Sequence, residues 1–369
     1  MGLDDLPKKM RAIQVVEFNK PYEINEVDVP TDLQSTDLLV KVAVASNCHT
    51  DGMVSEGAFG SKLPQIASHE GAGTVVALGD LAKERGFKEG MRVMCGIPLH
   101  PCGHCHDCLG PESHRQYCAN LGGHVGVTTD GCFAEYMRAD SASSTPLPDE
   151  VTFLSAAPLA CAGRTVWRSV LQTGLKAGEW VCIVGSGGGL GHLGIQFAKA
   201  LGLQVIGVDA RDEGLELSKH YGADVIVDAR NGKDAVVKEV QKVTNGQGAD
   251  SSITLSDHPD ACSIACGSTK MHGVVVQIAQ PEQISVPFPE IIFRDIKIHG
   301  SLICSPSESV SMLETIAKHG VTVTTVPFEG LDKIGELVEL VHGGKIKGKA
   351  AIIVDPEQIE HEKKIGAKY

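Results

Sequence analysis

A chain of 369 residues with 42% apolar and 4% aromatic content is long enough for two to three domains and has the composition of a packed globular protein, which excludes disorder. Its net charge of −13, from 33 basic and 46 acidic residues without a long run of like charge, disfavours a phosphate-backbone partner, so no nucleic acid is expected to bind. The opening MGLDDLPKKM lacks the apolar segment of a secretion signal, and Leu6 stands where a myristoylation signal needs Ser or Thr. No apolar run reaches a membrane span, so a cytoplasmic enzyme is expected, and its 12 cysteines are more naturally thiols and metal ligands than disulfides.

Residues 1–155 are rich in Val, Pro, Gly and turn formers, and short alternating runs at 38–44 and 73–78 predict an irregular, mostly β domain. Within it, Cys102, Cys105, Cys108 and Cys118 are separated by two, two and nine residues. Thiolates three apart on a turn reach one ion at about 2.3 Å, and four of them close a tetrahedral shell without room for substrate. The segment near 95–120 therefore reads as a lobe around structural zinc, the alternative being a pair of disulfides or unrelated buried thiols. Six further cysteines, Cys95, Cys132, Cys182, Cys262, Cys266 and Cys304, read as buried small hydrophobes.

From about Trp180 the texture changes to strand, glycine loop, apolar helix and strand: WVCIV, GSGGGLG, HLGIQFAKALG, QVIGVD. This predicts the first βαβ unit of an α/β fold with a doubly wound parallel sheet, continued by a helix over 213–221 and strands at 225–227, 252–255 and 274–279. Gly185, Gly187, Gly188, Gly189 and Gly191 stand where backbone must approach a pyrophosphate at a helix N-terminus, although the spacing is one residue longer than GxGxxG. Asp209 ends the second strand, where a carboxylate accepts hydrogen bonds from the adenosine ribose and repels a 2′-phosphate, favouring NAD over NADP. Arg211 blurs that preference, because a guanidinium there can pair with a phosphate. Beyond residue 302 the pattern is mixed and ends in a strand at 350–354. The expected organisation is a Rossmann-type domain over 156–301, with 1–155 and 302–369 forming the other domain.

Cys48 in NCHTD, His69 in SHEGAG and Cys161 in APLACAGRT are each weak signals alone. Read with the glycine loop and the four-cysteine lobe, the chain resembles the zinc-dependent alcohol dehydrogenases of the medium-chain dehydrogenase/reductase family, in their yeast-type branch. The resemblance covers almost the whole chain and is densest from 157 to 209. It implies a GroES-like fold for the catalytic domain, two zinc ions per chain, and hydride transfer between NAD(H) and an alcohol/aldehyde pair. It implies that Cys48, His69 and Cys161 hold the catalytic zinc with a fourth position left open, the arrangement known for alcohol dehydrogenase. It further implies that Asp51 supports His69, that Glu70 lies close behind the metal, and that Thr50 takes the alcohol proton; for both acids the alternative is neutralisation by local hydrogen bonds. His49 and Lys349 would lie near the cofactor pyrophosphate and Thr165 near the nicotinamide, while an exposed lysine on a solvated face is the alternative for Lys349. A homo-oligomer, dimer or tetramer, also follows from the resemblance.

The chain departs from the family pattern in places. Met53 stands where many relatives have a proton-relaying histidine, and Ser68 replaces the glycine before the metal histidine. The last lobe gap is nine residues where seven is usual, which predicts a bulge over 110–117, and His104, His106 and His114 are alternative ligands there. The stretches SEGAFGSKLP and GIPLHP lack the tryptophans that narrow the pocket of small-alcohol enzymes, so Phe59 and Leu99 are expected to line a roomier cavity for a bulky or aromatic substrate. The alternatives are a reductase of an iminium or activated double bond, or a non-catalytic nucleotide-binding homologue.

Overall fold

The computed structural model describes residues 6–344 and 346–369 and divides into two compact units. One comprises the chain up to Ala162 together with Cys304–Tyr369, the other Gly163–Ile303. Residues 1–5, part of the opening segment read above for a targeting signal, lie outside the described residues. Among the described residues no helix is long and apolar enough to cross a membrane.

The first unit is organised around the strand Asp37–Ser46, which pairs antiparallel with Glu70–Leu78 and with Tyr136–Asp140. Alternation over 38–44 predicts one solvated face, yet every residue of this strand except Lys41 is buried. The reason is that both faces are covered: Leu38, Val40 and Val42 enter one apolar cluster, whereas Leu39 enters another with Ile66 and Ala134. The C-terminal strand Lys349–Ile353 joins the same sheet, with Ala351 opposite Ser46 and Ile352 opposite Ala45. The two ends of the chain thus share one hydrogen-bonded sheet, a long-range pairing that no local pattern encodes.

The second unit holds six strands, all parallel, in the order Val225–Asp228, Gln204–Asp209, Trp180–Val184, Ala249–Thr254, Thr269–Gln277, Lys297–Gly300. The WVCIV run is buried from Val181 to Val184 because helices cover both faces of such a sheet, as continuous apolar strands require. The helices Lys233–Val243 and Ala261–Ser268 escape the sequence reading. In ACSIACGS all but one residue is buried, so there is no polar face to reveal a 3.6-residue period. In the first unit, the helix Pro306–His319 also escapes it, though Ser305 and Glu308 form a capping box legible as S-x-x-E and Gly320 ends the helix at φ 65°.

All 12 cysteines are free thiols, and the six without a sequence motif are all buried. Cys182, Cys262 and Cys266 belong to the apolar core of the second unit, as small hydrophobes do.

Candidate active site and metal centres

The chain enters the first site at the end of its central strand. Cys48 precedes the helix His49–Ser55, and Asp51 in the first turn of that helix accepts the Cys48 N–H on Oδ2 at 2.8 Å. The other oxygen, Oδ1, lies 2.8 Å from Nδ1 of His69. One buried carboxylate thus fixes both the Cys48 turn and the imidazole. His69 follows Ser68, whose φ of 69° lies in the left-handed region that favours glycine. Serine tolerates it here because its Oγ donates to the Ser46 carbonyl at 2.8 Å and accepts from the Glu70 N–H at 3.3 Å. Cys161 arrives on a π-helical turn, Leu159–Gly163, a local widening found often at functional positions.

The ligand atoms of Cys48, His69, Glu70 and Cys161 all lie within 4.8 Å of one another. Nε2 of His69 is buried and has no hydrogen-bond partner among the described residues, while Nδ1 is held by Asp51. An orphaned imidazole nitrogen beside two thiols, its other nitrogen locked to a carboxylate, is the donor set that zinc takes in open sites. Charge agrees with this. The hydrogen bond from Cys161 holds the Cys48 thiol well below its ordinary value against the effect of burial, with Lys349 and His69 helping. Cys161 is correspondingly pushed well above, by that same hydrogen bond and by burial. Burial opposes an imidazolium at His69, but Asp51 and Cys48 outweigh it and raise the group well above its usual range. Positive charge is therefore favoured where a thiolate and carboxylates converge, and a divalent cation would displace these protons.

Burial pushes the Glu70 carboxyl up to about 7, against the pull of Lys349. Lys349, read from the sequence as an arm for the cofactor pyrophosphate or an exposed lysine, is 5% exposed and pairs with Glu70, Nζ to Oε2 at 2.8 Å. The solvated-lysine alternative is thereby corrected: the strand start at Lys349 is packed inside the unit. Ser46 and the Ala162 N–H, which also donate to Glu70, carry no motif and were not legible in the sequence. Thr50 is half-buried, His49 is exposed, and Met53 is half-buried on the same helix. Leu99, expected beside substrate, is instead 5% exposed within the apolar core, on the short strand Pro98–Leu99 that pairs with Gly123–His124. Phe59 is 39% exposed.

The lobe cysteines also converge, with all four sulfurs within 4.8 Å of one another. Cys102 and Cys108 sulfurs are 4.0 Å apart, Cys105 and Cys118 3.7 Å, and Cys118 and Cys102 3.6 Å. Four sulfurs at zinc-bond length from one tetrahedral centre are spaced by about 3.8 Å, whereas a disulfide needs about 2.05 Å, so the disulfide alternative fails. His104, His106 and His114 stand outside this group; His104 turns its Nδ1 to the Cys102 carbonyl at 2.8 Å. The long last gap is taken up by a short 3₁₀ helix, Glu112–Tyr117. A third convergence, Asp37, His100 and Asp140, has its carboxylates already engaged: Asp37 meets the imidazole at 2.6 Å and the Gln34 N–H at 2.8 Å, and Asp140 meets the His100 and Ala142 N–H groups. It reads as scaffold.

In the second unit, Gly185 has φ +88° and Gly187 lies so close to the helix Asp212–His220 that a Cβ would fall 2.0 Å from the Gly214 carbonyl oxygen. Gly191 is packed on Gly185 and Ser186 in the same way, whereas Gly188 and Gly189 are half-buried. The helix Gly191–Ala200 has no side-chain cap at its N-terminus, which suits an anion. Asp209 is 6% exposed and accepts the Gly187 N–H at 2.9 Å as well as the Ala210 and Arg211 N–H groups. It is therefore also a strut for the glycine loop, with the Arg211 guanidinium laid back over it toward the Gly187 carbonyl at 3.3 Å. Thr165 is half-buried on the helix Arg164–Gln172. Gly187→Ala is expected to cost about 1–3 kcal/mol through overpacking against backbone that cannot yield, seen as a lowered midpoint of chemical unfolding.

A parallel dinucleotide-type sheet in one unit and an imidazole-thiol metal group in a β-rich other define a metal-using dehydrogenase class. A family model described as Alcohol dehydrogenase GroES-like domain matches residues 34–149, and one described as Zinc-binding dehydrogenase matches residues 189–318. An alcohol dehydrogenase of Geobacillus stearothermophilus is 35% identical over 352 residues, covering 94% of this chain and 100% of that protein. One of Schizosaccharomyces pombe is 31% identical, covering 94% and 98%. The crystal structure of the alcohol dehydrogenase of the hyperthermophilic archaeon Aeropyrum pernix superposes with a TM-score of 0.83 at 30% identity, covering 93% of this chain and 99% of that one. This chain belongs to the zinc-dependent alcohol dehydrogenase family of medium-chain dehydrogenases/reductases and is a zinc-dependent oxidoreductase.

Proposed function

We propose that the protein transfers hydride between NAD(H) and a bulky or aromatic alcohol/aldehyde pair, with one zinc at Cys48, His69 and Cys161 and a second held by Cys102, Cys105, Cys108 and Cys118. The observation that carries this reading is the buried, unpartnered Nε2 of His69 beside two thiols, with Nδ1 tied to Asp51. Bound there, zinc supplies Lewis acidity that makes an alcohol proton labile near neutral pH, and the nicotinamide supplies the hydride acceptor. Asp51 holds the His69 tautomer that leaves Nε2 a lone pair. The Thr50 hydroxyl, one residue before Asp51, takes the substrate proton. Met53 then has no means to pass it on, since a thioether does not exchange protons, so the exit runs through the ribose and water.

NAD is favoured because the buried Asp209 carboxylate would face the ribose, with His49 assigned to the pyrophosphate side and Thr165 to the nicotinamide, while Lys349, sequestered on Glu70, is withdrawn from the pyrophosphate role. The wide substrate range is supported by composition: both tryptophans, Trp167 and Trp180, belong to the second unit, so the catalytic unit has none to narrow a pocket. A cytoplasmic homo-oligomer is the state we assign. Phe288, Ile292 and Phe293, each about two-thirds exposed near the edge strand Lys297–Gly300, support it, since an apolar patch beside an unpaired strand edge is a liability in a lone subunit. The absent relay at Met53 is the one observation that favours the second reading, reduction of an iminium or activated double bond.

Steady-state turnover of benzyl alcohol and ethanol with NAD and NADP tests the assignment. We expect kcat/KM to favour benzyl alcohol and NAD, and Asp209→Ala to narrow the NAD preference by about tenfold or more through loss of the ribose acceptor. A steep preference for ethanol would sink the pocket argument, and turnover confined to activated alkenes would select the second reading.

A further inference from the structure

We propose that His192 is a positioning residue of the glycine loop: its Nδ1–H holds the Gly188 carbonyl so that the next N–H along the chain, that of Gly189, is aimed at a pyrophosphate. This rests on reading the loop as the dinucleotide seat. His192 lies in the first turn of the helix Gly191–Ala200 and is fully buried. Its Nδ1 is 3.1 Å from the Gly188 carbonyl oxygen. A carbonyl only accepts, so Nδ1 carries the proton. The His192 backbone N–H reaches the same oxygen at 3.2 Å. Two donors from one residue thus converge on one carbonyl at the start of the helix.

The geometry of the peptide bond gives that contact its consequence. A trans peptide is planar, with its C=O and N–H pointing in opposite directions, so drawing the Gly188 carbonyl onto the helix turns the Gly189 N–H outward. Glycines at 187, 188 and 189 leave this peptide otherwise free to rotate, since none carries a Cβ to restrict it. The remaining N–H groups of the loop divide into two sets. Gly185 and Ser186 donate to the Val208 carbonyl at 2.8 and 3.1 Å, Gly187 to Asp209 at 2.9 Å and Gly188 to the Gly185 carbonyl at 3.3 Å. Among the described residues the N–H groups of Gly189, Leu190 and Gly191 have no acceptor, and these are the donors an anion would meet. The imidazole is also held from outside its own helix. Its ring centroid lies 5.3 Å from that of Tyr221, which follows the helix Asp212–His220, and Gly187 packs on Gly214 of that same helix.

The nitrogen contact and the ring contact can be separated. Phenylalanine keeps a ring against Tyr221 and loses the donor, whereas asparagine loses the ring and keeps an N–H close to the place of Nδ1. The test is calorimetric titration of the full chain with ADP-ribose, which carries the pyrophosphate without the nicotinamide, alongside the midpoint of chemical unfolding. His192→Phe is expected to bind ADP-ribose about fivefold to tenfold more weakly than wild type, the effect of one lost hydrogen bond, and His192→Asn to stay within about twofold of it. Stability should run the other way, with the asparagine variant unfolding at the lower denaturant concentration because its ring packing is gone. His192→Leu also lacks the donor and takes the place of the phenylalanine variant should that one not fold. Wild-type affinity in the variant without the donor overturns the proposal. So does an asparagine variant weakened as much as the phenylalanine one, since the ring and not the nitrogen would then set the loop. Wild type that does not bind ADP-ribose overturns the dinucleotide reading itself, before a variant is made.

Discussion

Replacing Cys161 with serine should take the metal content from two zinc ions per chain to one and lower kcat by about a thousandfold or more, the several kcal/mol that a Lewis acid contributes to a transition state. Cys161 sits on the π-helical turn Leu159–Gly163, and its sulfur shares a hydrogen bond with Cys48 that pushes the Cys48 thiol down. A serine hydroxyl at that place offers a hard, protonated oxygen to an ion that prefers thiolate. The lobe is built from separate residues, so its zinc should stay. Elemental analysis alongside NADH-linked turnover reads both effects. Retention of two ions with activity lost would place the damage elsewhere than at metal binding, and a single ion in both proteins would remove the catalytic site from the account.

Cys108→Ser should open the lobe instead, costing its zinc and lowering the unfolding temperature on the order of 10 °C while the catalytic ion remains. Burial pushes the Cys108 thiol up to about 12, whereas the His104 backbone N–H pulls Cys102 down to about 6. Loading the lobe therefore requires the Cys108 proton to leave, so zinc uptake by the chelator-treated protein should release protons and apparent affinity should fall with pH throughout the range below about 12, more steeply below about 6 where Cys102 also takes a proton. Calorimetry of zinc titration in two buffers of different ionisation enthalpy measures that release. A variant that lost its lobe zinc with no change in thermal unfolding would mean the lobe is held by its own packing.

Much of the site was legible because its chemistry is local in sequence. Cys102, Cys105 and Cys108 lie at fixed steps along one loop, and the glycines from Gly185 to Gly191 sit between an apolar run and an apolar helix, so spacing alone carries the argument. The catalytic group was reached differently. Cys48, His69 and Cys161 are separated by 20 and 91 intervening residues, and resemblance joined them before any geometry did. The partners of Glu70 lay beyond both routes, since Ser46, the Ala162 N–H and Lys349 come from a strand end, a π turn and the C-terminal strand. Leu99 shows the opposite error: a residue placed by likeness of a loop to a loop turned out to face the core.

By itself the sequence determined the parallel sheet of the second unit, the glycine loop ahead of Asp209 and the grouping of the lobe cysteines, because short-range periodicity and residue chemistry suffice for each, whereas Cys48, His69 and Cys161 were joined only by resemblance. The tertiary structure decided that the strand Lys349–Ile353 pairs with Asp37–Ser46, that the latter is covered on both faces, and that Lys349 is buried against Glu70. Those outcomes depend on contacts between segments distant in the chain, Glu70 and Lys349 being 279 residues apart, whose free energy comes from pairing and burial that exist only once the chain has closed on itself.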